Sequence, residues 1–200
     1  MFFNSKKKPV MPVCTIGSPA LTRVAVPVAE IDRKVLDLAQ EMYRALVAFD
    51  GIGLAAPQVG VSLRLVVFDV PEPERKSDDA PLSPGEELLL PQMPFVAVNP
   101  QIVLAYGEEV EREEGCLSVP GLFAPVKRPS QVVFRTANLK GETVECECGG
   151  LLARCIQHEL DHLDGKLFVD RVDSGTAAKI KARLDKMIRD GKSCSYRRTK

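Results

Sequence analysis

The stretch "LLARCIQHELDHLDG", residues 151 to 165, carries both histidines of a 200-residue chain, His158 and His162, with Glu159 beside the first. Its apolar residues recur at helical spacing after "GG" at 149–150, and Gly165 supplies a stop, so the stretch reads as a helix. Residues four apart share a helix face, so His158 and His162 can present two imidazoles to one metal ion. Glu159, turned by about 100° from His158, flanks the open coordination position, where a carboxylate can take a proton from water. Chance delivers H-E-x-x-H in a chain of this composition on the order of once in a thousand sequences. A lone histidine reads as a structural residue; the pair with Glu159 points to a metal.

A catalytic metal usually has three protein ligands and one open position. In the pattern H-E-x-x-H-x-x-G-x-x-H, Gly165 fits, but Phe168 stands where the third histidine belongs. No glutamate follows Glu159, which excludes the thermolysin-type ligand set. An aspartate, Asp170 or Asp173, or a cysteine remains. In "REEGCLSVPG" (112–121), Cys116 follows Gly115 among small residues that let the backbone approach a bound group. Alone, Cys116 reads as a small buried hydrophobe; beside a metal helix short of a ligand it is the leading candidate.

Around these segments the chain reads as one domain, 1–200, with its core over about 15–190. Residues 29–50 space Ile31, Val35, Leu38, Met42 and Leu46 as an amphipathic helix before Gly51. Strands are expected at 62–70, 95–105, 130–139 and 142–148, with "LKGE" (139–142) as a hairpin turn. Residues 71–94 are rich in proline and acidic groups and read as an exposed surface loop. A last helix is expected over 174–191, with Gly191 as its stop. The expected fold is α+β: mixed or antiparallel sheets packed around the central metal-binding helix, with N-terminal and C-terminal helices.

Charges cancel at 27 basic and 27 acidic residues, so no global field favours nucleic acid or a membrane surface. The imbalance is local: residues 175–200 carry nine Lys or Arg against Asp185 and Asp190, a solvated face or a docking surface for an anionic partner. No run approaches the roughly 20 apolar residues of a membrane span, and no secretory signal opens the chain. Six cysteines without such a signal suggest reduced thiols in a cytosol-like compartment, with an organelle the weaker alternative; Cys146 and Cys148 read as ordinary strand cysteines.

Three blocks, "GIGLAAPQVG" (51–60), "EGCLS" (114–118) and "QHELDHLDG" (157–165), together resemble the peptide deformylase family in order and spacing, over most of residues 15–190. The resemblance implies that Cys116, His158 and His162 hold one divalent ion, ferrous iron in the cell, with zinc, nickel or cobalt as substitutes. It implies hydrolysis of the N-formyl group from formyl-methionyl nascent peptides with release of formate. Glu159 would be the base, and the Gln58 amide with the Leu117 backbone N–H would stabilise the oxyanion. It further implies that Gly51, Gly53 and Gly115 flank an extended substrate and that Ile52, Leu54, Leu151 and Cys155 form an apolar methionine pocket. Glu114, Arg128 and Asp161 are expected to support the centre, with an Arg128–Asp161 salt bridge. The basic C-terminal helix is a candidate for ribosome docking, and no sequence-specific nucleic-acid binding is expected.

Overall fold

The structure, a computed structural model, describes residues 9–74 and 81–190. Helix α1 runs Arg33–Ala48; Asp32 caps it by accepting from the Val35 amide at 3.0 Å. Val35, Ala39, Met42 and Leu46, spaced by four, three and four, are buried, while the opposite face carries charge. Strands β1 (Gly53–Ala55), β2 (Leu65–Phe68), β3 (Phe95–Cys116), β4 (Val119–Ala137) and β5 (Thr143–Cys148) form one five-stranded sheet in sequence order. Every pairing in it is antiparallel; the single parallel contact is an isolated bridge between Val26 and Leu63. The expected α+β class holds, with one antiparallel sheet among the described residues.

Helix α3, Gly150–Leu163, lies against this sheet with ten of its residues buried. Leu152, Ala153, Ile156, Leu160 and Leu163 pack against Val66, Phe68, Ala97, Val132 and Phe134 in the main core. A second cluster joins α1 to the other side of β1 and β2, and a third gathers Val119 to Val126 of β4 with Phe168. Helix α4, Ser174–Asp190, leans on that third cluster through Ile180, Leu184 and Met187 and has no fully buried residue. Its expected stop, Gly191, and the basic residues Lys192, Arg197, Arg198 and Lys200 lie outside the described residues.

Two expectations change. The long β3–β4 hairpin extends through residues 106–129, where no strand is expected from the sequence. The 71–94 segment is not wholly loop: helix α2, Pro84–Leu89, begins at a reciprocal Ser83–Glu86 capping box and buries Leu89 and Leu90 in the main core. Ser83 also accepts from the Gly149 amide at 2.8 Å, and the buried Glu86 carboxylate lies against Gly150 at the start of α3. Negative charge there complements the helix dipole. The β4–β5 turn is as expected, with the Asn138 side chain accepting from the Lys140 and Glu142 amides. Cys116, Cys146, Cys148 and Cys155 are free thiols.

Candidate metal centre

Ligand atoms of Cys116, His158 and His162 all lie within 4.8 Å of one another, and Cys116 Sγ is 3.2 Å from His162 Nε2. The helix supplies the two imidazoles one turn apart, and the end of β3 delivers the thiol to them. His158 Nδ1 lies 2.9 Å from Glu114 Oε2, so Nε2 is the nitrogen left for an ion. Asp170 and Asp173 are elsewhere engaged: Asp170 accepts from the Leu167 amide, and Asp173 accepts from residues opening α4. The aspartate alternative for the third ligand therefore has no support in the geometry.

Glu159 is 3% exposed. Burial pushes its carboxyl up to about 7, with His158 and Arg128 offsetting part of the rise. Its Oε2 and the Nδ1 of His162 are buried and lack partners among the described residues. Such orphaned polar atoms are costly. Three convergent N, N and S donors beside an unsatisfied carboxylate fit a divalent ion with its water, which would meet the demand of Glu159 Oε2; His162 turns Nε2, not the orphaned Nδ1, toward Cys116.

Gln58, in the turn Ala56–Val59, is 1% exposed. Its Oε1 accepts from the Ala55 amide at 2.8 Å, which turns Nε2 toward Ser118 Oγ (3.3 Å) and Cys116 Sγ (3.6 Å). The amide donor thus faces the centre.

Beneath the ligands lies a buried ionic network. Arg128 donates to both oxygens of Glu114 (2.6 and 2.9 Å) and to Asp161 Oδ2 (2.9 Å), as the expected salt bridge requires. Burial would raise the Glu114 carboxyl, but hydrogen bonds from Arg128 and His158 overcome it and bring it to about 2. Glu114 is therefore ionised wherever the protein is folded near neutrality, and it holds His158 in one orientation. The sequence reading missed two members. Arg154 donates to Glu114 Oε1 at 2.7 Å, and Arg171 grips Asp161 through two nitrogens. Arg154 had a signal: it precedes His158 by four residues and so shares the face of both histidines.

A cavity of about 430 Å³ opens over the centre. Gly51, Ile52, Gly53, Gly115, Leu117, Leu151 and Cys155 line it with Gln58, Cys116, His158 and Glu159. Leu54 does not: side chains alternate along β1, so Gly53 faces Glu159 while Leu54 turns into the α1 core. Phe123, unexpected from sequence, lies over Gly115 at the rim and is 64% exposed.

Three convergent donors from helix and hairpin beside a buried carboxylate could hold a metal ion, an arrangement that suits a metal-dependent hydrolase. The polypeptide deformylase family model matches residues 10–178. Peptide deformylase 2 of Gloeobacter violaceus is 42% identical over 170 residues, 85% of this chain and 83% of that protein. Among solved structures, the peptide deformylase of Synechococcus elongatus in complex with actinonin has a TM-score of 0.72 at 33% identity, covering 95% of this chain and 92% of its own. The Met-Ala-Ser-bound class I type b enzyme of Acinetobacter baumannii gives 0.69 at 36%, covering 82% and 99%. The chain belongs to the peptide deformylase family and removes the formyl group from nascent peptides.

Proposed function

We propose that Cys116, His158 and His162 hold the ion and that Glu159, Gln58 and Leu117 carry out the proton transfer and charge stabilisation of deformylation. The observation that carries this reading is the convergence of those three donors within 4.8 Å beside a buried carboxylate. When bound, a divalent ion supplies Lewis acidity, making a water acidic and polarising the formyl carbonyl. Ferrous iron is the occupant we assign in the cell, with zinc, nickel or cobalt able to replace it; a thiolate with two imidazoles suits all of them.

Glu159, with a carboxyl poised near neutrality, accepts the proton of the attacking water and returns it to the leaving amine. The Gln58 Nε2 donor and the Leu117 backbone N–H stabilise the charge that develops on the formyl oxygen. Ile52, Leu151 and Cys155 receive the methionine side chain, whose unbranched thioether gains mainly from burial. The backbones at Gly51–Gly53 and Gly115 flank an extended peptide.

One assay tests this: protein purified without oxygen, its metal measured, is given formyl-Met-Ala-Ser and formate is followed. Glu159→Ala that releases formate as fast as the parent would remove Glu159 from the mechanism. Lys179, Lys186 and Arg189 are exposed on α4, which supports docking on an anionic partner such as the ribosome. Reversing those three charges without changing ribosome binding would refute docking there. No helix among the described residues is long and apolar enough to cross a membrane; a cytoplasmic site of action accords with the nascent substrate.

A further inference from the structure

Cys146 and Cys148, which the sequence reads as ordinary strand cysteines, take no part in the metal centre: both belong to β5, where Cys148 lies in the main core and Cys146 packs against it. Alternation along the strand sends both side chains to one face, and their sulfurs lie 3.8 Å apart. The two thiols differ in setting. Cys146 is half-buried, whereas Cys148 is fully covered, with the backbone of Gly85 in α2 so near that a Cβ there would fall 2.4 Å from its sulfur. The hydrogen bond from Cys148 holds the Cys146 thiol below its usual range, while the same contact, with burial, pushes the Cys148 thiol well above it. A reachable thiol of raised acidity beside a buried, protonated one is an arrangement in which the first reacts and the second resolves.

We propose that Cys146 and Cys148 form a redox-active dithiol that reduces hydrogen peroxide and closes to an intramolecular disulfide, a modification site separate from the metal centre. Two residues along a strand span about 6.7 Å between Cα atoms, within the separation that a disulfide bridges, so rotation of the two side chains brings the sulfurs together. The Cys146 thiolate attacks one peroxide oxygen: the S–O bond forms, the O–O bond breaks, and hydroxide leaves with the electron pair. Cys148 then attacks the sulfenic sulfur; the S–S bond forms, the S–O bond breaks, and the thiol proton departs with the oxygen as water. Two thiols lose two electrons and two protons, and the peroxide becomes two waters. A small uncharged oxidant suits a half-buried thiol better than a bulky disulfide does.

The test exposes the metal-loaded full chain to hydrogen peroxide, blocks the remaining thiols with iodoacetamide in urea, and reads the tryptic peptide 141–154, which holds Cys146 and Cys148 and no other cysteine. The expected product is this peptide lighter by two hydrogen atoms and unalkylated, returned to the doubly alkylated form by prior treatment with dithiothreitol. Cys146→Ser should slow the loss of the remaining Cys148 thiol at least about tenfold. Cys148→Ala should stop at a Cys146 sulfenic acid that dimedone traps. A parent peptide that stays doubly alkylated in excess peroxide overturns the proposal. So does one that gains oxygen on Cys146 without any two-hydrogen loss, or one cross-linked to a second chain. Undiminished reactivity of Cys148 in Cys146→Ser also overturns it. The parent peptide decides the matter even where a variant fails to fold.

Discussion

Replacing Gly53 by alanine places one methyl group against the proposed base. A Cβ at Gly53 would lie 2.5 Å from Glu159 Oε1, 2.8 Å from Cys155 Sγ and 2.9 Å from Glu159 Cδ. Ordinary contact begins near 3.4 Å, so the carboxylate must withdraw by about 1 Å, and a misplacement of that size costs on the order of a hundredfold in rate. The space to withdraw is small, since both Glu159 and Cys155 are buried. Strand β1 itself tolerates the change: Gly53 does not have a positive φ, and its pairing with Phe68 uses backbone only. Overpacking should cost about 1–3 kcal/mol of stability. The three proposed ligands are not among the atoms nearest that methyl group, so the ion should stay. Gly53→Ala is therefore expected to keep its metal per chain and a cooperative melt while kcat/KM on formyl-Met-Ala-Ser falls about a hundredfold. A folded, fully metallated variant within threefold of the parent would refute the close approach as a functional constraint.

Three further outcomes follow from the centre. Because burial raises the Glu159 carboxyl to about 7, the folded metal-free protein binds this proton more tightly than the unfolded chain, and its stability falls as pH rises from about 4.5 to about 7, by at most about 3 kcal/mol. Glu114, held near 2, acts in the opposite sense, stabilising above its ordinary pKa and losing that contribution as pH falls toward 2. Urea unfolding of chelator-treated protein at about pH 5 and about pH 7.5 measures the first effect, and Glu159→Gln should flatten it; parallel slopes would contradict the assignment. Arg128→Met leaves Glu114 and Asp161 buried with less compensation and should cost about 3–5 kcal/mol, with metal affinity down about 10- to 100-fold, read by chelator competition; parental affinity would detach the network from the centre. Cys116→Ser replaces a thiolate by a weak donor and should lose its ion on dialysis. Full retention would mean that Cys116 is not a ligand.

The metal helix was legible because its demands are local: histidines four apart, a glutamate between them, an apolar stripe and a terminal glycine. The hairpin carrying Cys116 was not. From Val103 to Glu113 the residues of β3 are exposed or half-buried, so alternation of apolar and polar side chains had no buried face to report, and the strand exists through its pairing with β4. Helix α2 was hidden by composition, although Ser83 and Glu86 spell a capping box once their reciprocal bonds are seen. Leu54 was misplaced because a motif gives order along the chain, whereas a strand sends successive side chains to opposite faces. Arg154 went unread because its partners, Val110, Glu114 and Val126, come from both strands of that hairpin.

Cys116 and His162 stand 46 positions apart in the chain. An ion shared by them, as proposed, would tie the end of the hairpin to the helix, and in the chain-entropy picture a cross-link closing a loop of that size removes about 4 kcal/mol of freedom from the unfolded chain. The proposed centre would therefore also be a clasp. Oxidation of Cys116 would open that clasp, so exposure to peroxide should shorten the lifetime of the folded protein together with its activity.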